Sequence, residues 1–365
     1  NYTELSGGAG LADPDQSWTA DFADIDNDGD MDCFVLNHPF TAAHNNGPSG
    51  PSSLFLNDGA GNFSDSTAAV GLAGGLGFIA NQAICRDYNS DGYIDLLVAD
   101  MNETGVGYGY FQNDGDGTFT GYYANDGIFK TADGLSDLNR IHSFAVGDLN
   151  HDGHLDLYIG RGKDINNDTS EPDVLVFNQG NSNKHLTVTL VGGPGCNPNG
   201  IGARIEAHGP WGAGGGNGVQ TRDVRGGEGY GIMNSLNTHF GLGTATQVDQ
   251  LVVKWPTGTV DTIDNVPGDR FVSVYEGTNV AAMEYADWIG DFYPGGGTNA
   301  EPDEDPDSDM IDNAVEQILG LNPTVKDGSG DVKASVENDG GQDFFVVTAD
   351  LTPVSYTHLT LPTKV

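Results

Sequence analysis

Basic residues are scarce in this sequence: 14 lysines and arginines stand against 53 aspartates and glutamates, for a formal net charge of −39. A chain of that sign repels phosphate backbones, which excludes non-specific binding to DNA or RNA as its main activity. Long apolar runs are missing too, and none approaches the roughly 18 residues a membrane-spanning helix requires. Cysteine is nearly absent, with three residues in 365. That is too few for a disulfide scaffold, and the spacing suits no metal motif, so the redox compartment stays open. There is no H-E-x-x-H, no G-x-S-x-G and no complete P-loop; IGRGKD lacks both the leading Gly and the closing Ser or Thr. No catalytic residue is assigned. The sequence opens at Asn1 without a basic-then-apolar leader, which leads us to expect a mature form or, preferably, a fragment.

Glutamate is the minor acid, with 11 residues against 42 aspartates. A solvated helix would lean on Glu, the better helix former. Asp in such excess, together with 55 glycines, places the acids in loops and tight turns and predicts a β-rich fold. The length predicts two or three domains.

One pattern occurs three times, as DIDNDGDMD from Asp24, DYNSDGYID from Asp87 and DLNHDGHLD from Asp148, at intervals of 63 and 61 residues. Each copy fits D-x-[DN]-x-D-G-x-x-D, with apolar Met31, Ile94 or Leu155 at the eighth position. A period this regular signals a repeat architecture. About 30 residues after each copy comes a second element: LFLNDGAGNF around Asn57, YFQNDGDGTF around Asn113 and a degraded VFNQGNSN around Asn178. Asn and Gly tolerate the positive φ that tight hairpins demand. Each repeat therefore predicts strand, acidic loop, strand, variable loop, strand, hairpin, strand, which is the unit of a β-propeller blade.

Side chains at loop positions 1, 3, 5 and 9 can converge on one hard cation, position 7 can add a backbone carbonyl, and Gly at position 6 permits the sharp turn. Oxygen-only donors select Ca²⁺ over transition metals. An EF-hand would need a bidentate Glu at position 12, where this chain has Val35, Val98 and Ile159. The exits DCFVL, DLLVA and DLYIG are β-formers, so the loops belong to sheets. Two plainer alternatives remain: the loops are polar turns only, or the metal merely holds the fold. Three copies in register count against the first.

The loops and their flanks resemble FG-GAP/VCBS repeats, the blades of integrin-α-type propellers, over about residues 15–183. The resemblance implies calcium ligands at Asp24, Asp26, Asp28 and Asp32, at Asp87, Asn89, Asp91 and Asp95, and at Asp148, Asn150, Asp152 and Asp156. Asp30, Tyr93 and His154 stand at position 7 and would offer carbonyls. Asn at position 3 in two loops lowers their charge and their expected affinity. Propellers close with about four to eight blades, so upstream blades are expected outside this sequence.

From Lys184 to Gly277 the chain is less acidic and holds six of the 14 basic residues. HLTVTLVGG, DQLVVKWPTG and DRFVSVYEG alternate with period 2, as half-buried strands do. NGIGARIEAHG, RDVRGGEGYG, THFGLGTATQVDQLVVKWPTG and VYEG resemble the ASPIC and UnbV domain that follows such repeats in proteins similar to cartilage acidic protein. The resemblance implies an extracellular partner module without catalytic residues. Arg204, Arg222 and Arg225 are candidates for an anion-binding face, for a carboxylated glycan or an acidic loop; exposed strand charge is the plainer alternative. Trp255 is expected to pack in the sheet, Cys33 and Cys85 to be buried thiols, and His151 and His154 to be solvated.

Beyond Gly277, AAMEYADWIGDFYP suits a short helix. From Asp305, an EF-hand-like spacing places Asp305, Asp307, Asp309, Ile311, Asn313 and Glu316 at positions 1, 3, 5, 7, 9 and 12, before a helical NAVEQILG. The loop resembles thrombospondin type 3 and dockerin loops. Met310 replaces the usual Gly, and an acidic linker is the alternative. Residues 354–365 abandon the acidic bias and are expected to lie outside the native fold.

The expected fold is all-β: a partial β-propeller of about three blades over residues 1–183, an ASPIC/UnbV β module over 184–277, a linker with a calcium loop over 278–330 and a further β segment over 331–365. The expected function is a non-enzymatic, Ca²⁺-stabilised adhesion or binding protein, extracellular or at the cell surface, with a protein or glycan partner. The alternative is accessory domains or a scaffold of a secreted polysaccharide-degrading enzyme, which a carboxylate pair in a cleft outside the calcium loops would favour.

Overall fold

Apolar runs alternating with D-G and N-G turns fold the first half of the chain into antiparallel sheets. The structure, a computed structural model, describes residues 6–13, 15, 17–37, 51–72, 82–99, 108–123, 141–161, 172–212, 216–228, 232–283, 332–339, 342–349 and 359–362. The first sheet holds β1 (Ser17–Ala23), β2 (Asp32–Asn37), β3 (Ser53–Asn57) and β4 (Phe63–Asp65), neighbours in sequence order. The second repeats it with β5 (Ala83–Arg86), β6 (Asp95–Ala99), β7 (Tyr108–Asn113) and β8 (Phe119–Tyr123). In both, the acidic loop joins the first strand to the second and the N-D-G hairpin joins the third to the fourth. The third sheet has β9 (Ile141–Gly147), β10 (Asp156–Arg161) and β11 (Val174–Val176), with no fourth strand among the described residues. The degraded hairpin explains the difference from the expected four: residues 177–183 run straight into the next module instead of turning back.

In the first two sheets the second strand is a continuous apolar run because both faces of the sheet are covered. Every residue of DCFVLN and of DLLVA is buried. Phe34, Leu36 and Leu54 of the first sheet share a core with Cys85, Leu96, Val98 and Phe111 of the second. Leu97, Ala99 and Tyr110 share the next with Phe144, Leu157, Ile159 and Val176 of the third. The hairpin asparagines fasten these stacks: Asn113 Nδ2 donates to Ile94 O (3.1 Å) in its own sheet and to Ile25 O (2.9 Å) in the preceding one. Asn178 does the same with Leu155 O (3.3 Å) and Tyr88 O (3.0 Å). On the far face of the third sheet, the cross-strand partners Tyr158 and Leu175 are exposed.

The second module contains β12 (Lys184–Val191), β13 (Arg204–Gly212), β14 (Gly216–Asp223), β15 (Thr238–Gly243), β16 (Gln247–Lys254), β17 (Val260–Pro267), β18 (Arg270–Tyr275) and β19 (Ala281–Met283). They form two sheets, ordered β15-β12-β18-β19 and β14-β13-β16-β17, in which β12 and β18 run parallel. Leu186, Val188, Leu190, Ile205, Ala207, Leu251 and Val253 are buried, as the period-2 pattern requires. Trp255 is buried and donates its Nε1 to Asp261 Oδ2 at 2.7 Å. Cys33 and Cys85 are buried free thiols. The expected helix after Gly277 begins instead as strand β19; its remainder and the Asp305–Glu316 loop lie outside the described residues.

The chain divides into two compact units, Asn1–Ala282 and Met283–Val365, so the three sheets and the second module share the first. In the other unit, β20 (Val332–Asp339), β21 (Gln342–Ala349) and β22 (Leu359–Pro362) pair antiparallel in that order. β22 falls within residues 354–365, which were expected outside the fold. Among the described residues, no helix is long and apolar enough to cross a membrane.

Candidate metal centre

The three acidic loops share one backbone. Position 4 is left-handed in each, at Asn27 (φ 58°), Ser90 (57°) and His151 (58°), and position 6 is a positive-φ glycine, Gly29, Gly92 or Gly153. Two such reversals within three residues coil the chain around its own carboxylates. In loop 1, ligand oxygens of Asp24, Asp26 and Asp28 lie within 4.8 Å of one another, the one such acidic, His or Cys group among the described residues. Loops 2 and 3 place Asn89 and Asn150 at position 3. Their Nδ2 atoms donate to Asp91 Oδ2 (2.9 Å) and Asp152 Oδ2 (2.8 Å), leaving those sites fewer free oxygens than the first.

Position 1 accepts N–H groups from within its own loop, from Gly29 to Asp24, from Asp91 and Gly92 to Asp87, and from Asp152 and Gly153 to Asp148, whereas position 9 reaches out to the hairpin. Asp32 accepts the Ile25 N–H and the Asn57 N–H, each at 2.8 Å. Asp95 accepts from Tyr88 N (3.1 Å), Asn113 N (2.9 Å) and the Tyr110 hydroxyl (2.8 Å). Asp156 accepts from Leu149 N (2.8 Å) and Asn178 N (2.9 Å). All three are fully buried and tie the loop to the hairpin of the same sheet. Any role as a metal ligand would come on top of this brace, through remaining lone pairs.

Metal-free, these carboxyls resist ionisation. Burial pushes Asp24 up to about 6, and Asp32 and Asp87 to about 7. Asp26 reaches the surface but is pushed up to about 6 by partial loss of hydration and by Asp28. Burial also raises Asp91, Asp95 and Asp156. A divalent cation fits this donor set: every donor is oxygen, three carboxylates converge, and Asp30 Oδ1 at position 7 is buried without a hydrogen-bond partner.

The second module covers all three loops. The Thr221 N–H on β14 donates to Asp24 Oδ2 at 3.0 Å. On β15, the Gly243 N–H donates to Ser90 O at 2.9 Å, and His239 Nε2 lies 3.1 Å from Gly153 O. Burial beside His185 lowers His239 to about 3. His151 is exposed, as expected, with its ring 5.1 Å from that of Phe271. Beside the loops, Glu228 is clasped by Arg86 (2.5 Å), by Arg225 (2.9 Å) and by Asn234, and Arg225 also pairs with Asp21 at 2.7 Å. The two arginines hold Glu228 down at about 2 against the effect of its burial.

The expected anion-binding face does not form. Arg204 pairs with Asp223 at 2.8 Å and Arg225 is held by Asp21 and Glu228. Arg222 is buried, bonded to Thr221 O and Gln220 Oε1, and lies 5.4 Å from the centre of the Phe240 ring. Strand alternation is the reason: Arg222 faces Ile205 in the ladder and Arg204 faces Asp223, so Arg204 and Arg222 point to opposite sides of the sheet. The sequence reading also missed Thr221, Gly241, His239 and Glu228. The charge pattern of RDVRGGE was a signal that Arg225 and Glu228 belong to one network; the glycines and Thr221 gave none.

Two stretches match known families. Residues 87–159 match the FG-GAP-like repeat, which takes in loops 2 and 3, and residues 193–281 match ASPIC and UnbV. No curated protein matches the chain.

Proposed function

We propose that this chain is a non-enzymatic binding or scaffold protein of the extracellular type, in which three acidic loops bind Ca²⁺ and so stabilise the stacked sheets and the module above them. The observation that carries this reading is one backbone built three times, around all-oxygen donors that in loop 1 converge within 4.8 Å. The FG-GAP-like match supports calcium binding and a secreted or surface location, and the ASPIC and UnbV match supports a role in contacts with other molecules. The partner is an extracellular protein or glycan, and the activity is adhesion or binding. Loop 1, with Asp rather than Asn at position 3, is the strongest site.

With Kd ~0.1 mM and ~10 mM free calcium, each site contributes about 2.7 kcal/mol, and three contribute roughly 8 kcal/mol. That corresponds to a rise in Tm of ~15–20 °C for a unit of this size. The test is a thermal melt of the chelated protein and of the same protein in calcium, repeated on Asp91→Ala and Asp152→Ala. The expected result is a large calcium-dependent rise that shrinks in each variant. A Tm indifferent to calcium in a protein that shows native β circular dichroism would reject the proposal.

A further inference from the structure

The second module meets the acidic loops with the edges of its sheets. β14 and β15 each lie at the end of their sheet order. An edge strand carries unpaired N–H and C=O groups that need a partner. Here the Thr221 N–H of β14 is taken up by the position-1 carboxylate of loop 1, while Thr221 Oγ1 approaches Gly29 O at 3.4 Å. The Gly243 N–H of β15 is taken up by Ser90 O in loop 2. Between those contacts, Gly241 presses its backbone onto loop 2: a Cβ there would lie 2.0 Å from Asp87 Oδ2 and 2.5 Å from the Ser90 Cα. Gln220 Nε2 donates to Gly241 O at 2.8 Å, so β14 and β15 are fastened to each other over the loops.

We infer that edge strands β14 and β15 act as an outer shell of the metal centre, so that calcium binding and seating of the second module form one coupled equilibrium. The inference rests on the proposed calcium sites and extends them: Thr221, Gly241 and Gly243 offer no ligand and are positioning residues for Asp24, Asp87 and Ser90. Seating the module fixes the carboxylates at position 1 in two loops. Removing the ion releases the mutual repulsion of the remaining carboxylates, which displaces the oxygens and carbonyls that the module's N–H groups need. Coupling of this kind is reciprocal, so the factor by which a seated module raises calcium affinity equals the factor by which calcium strengthens seating.

The experiment uses the full chain, stripped with chelator. Calcium alone is titrated calorimetrically into the unmodified protein, into Gly241→Ala and into Val260→Thr, a control at an exposed β17 position. The Gly241 methyl forces loop 2 to shift, and one site is expected to lose about tenfold or more in affinity while the others keep theirs. Val260→Thr is expected to bind as the parent does. In parallel, amide exchange is measured on the unmodified protein with and without calcium. The Thr221 and Gly243 amides are expected to lose about tenfold or more in protection on calcium removal, while Leu251 and Val253 inside β16 keep theirs. Calcium uptake with Thr221 and Gly243 exchanging alike in both states would overturn the coupling and leave the calcium sites standing. No uptake by the unmodified protein would overturn both.

Discussion

Raising the pH of the metal-free protein from ~5 to ~8 is expected to destabilise its first unit, and calcium is expected to reverse the trend. Asp24, Asp32 and Asp87 are buried, and burial pushes their carboxyls from 3.8 up to about 6, about 7 and about 7. In the unfolded chain each titrates near ~3.9. A carboxyl whose folded pKa lies above its unfolded value stabilises the fold while it stays protonated. That contribution is complete below ~3.9 and is lost as the pH climbs through 6 to 7. At about 1.4 kcal/mol per pH unit, two to three units amount to roughly 3–4 kcal/mol for each group. The part lost above pH ~5 is about one pH unit for Asp24 and about two each for Asp32 and Asp87, roughly 7 kcal/mol together, a large share of the stability of a domain.

Calcium inverts the sign because the ion binds the ionised form, so protons compete with it and its stabilising effect grows with pH. The assay is urea unfolding followed by tryptophan fluorescence at several pH values between ~5 and ~8, in chelator and in ~10 mM calcium. The two stability curves are expected to diverge from pH ~5 to ~7 and to hold that gap above it. Parallel curves, or a metal-free protein as stable at pH ~8 as at pH ~5, would refute the link between carboxylate burial and metal demand.

Two further substitutions probe how the sheets and the module are joined. Glu228→Gln leaves Arg86 and Arg225 without their shared carboxylate and is expected to cost ~3–5 kcal/mol in urea unfolding. It is also expected to remove a contribution that the parent, with Glu228 lowered to about 2, holds above ~4.5 and loses as the pH falls through about 2. Asn113→Ala strips a hydrogen bond from Ile25 O and another from Ile94 O and is expected to cost ~1–3 kcal/mol. Asn57→Ala, whose Nδ2 reaches only Met31 O in its own sheet, is expected to cost less than ~1 kcal/mol by the same measurement, and equal losses would deny the inter-sheet role.

Much of the fold is legible in the sequence because its causes are local. The D-x-[DN]-x-D-G-x-x-D spacing sets the paired left-handed and glycine reversals, and Asn-Asp-Gly sets the hairpins. The degraded third hairpin falls where the third sheet has no fourth strand among the described residues. The seating of the second module is not legible, since it depends on pairs such as Thr221 with Asp24 and Arg225 with Asp21, 197 and 204 residues apart in the chain. The arginine face failed for a related reason. Sequence distance between Arg204 and Arg222 says nothing of register, and the ladder that pairs Ile205 with Arg222 puts the two guanidinium groups on opposite sides.

The loops divide their acids between two tasks, and the division explains which position varies among the three copies. Position 3 is Asp26, Asn89 or Asn150, whereas position 9 is Asp32, Asp95 and Asp156. At position 3 either residue offers an oxygen, and Asn exchanges the second oxygen for an NH₂ that bonds the position-5 carboxylate, so the exchange is tolerated within the loop. At position 9 both carboxylate oxygens accept backbone N–H groups, one from loop position 2 and one from the hairpin asparagine. An asparagine there would bring one acceptor and set its own NH₂ against the other N–H, leaving a buried donor unsatisfied at about 1–3 kcal/mol. Position 9 therefore ties the loop to its hairpin and position 1 closes the loop on itself before any ion arrives, and an ion would gather the remaining lone pairs of positions 1, 3 and 5. A loop already shaped in this way loses less chain entropy on binding than one that must fold around the metal. The second module takes hold of the same structure from outside, through the position-1 carboxylate of loop 1 and the backbone of loops 2 and 3.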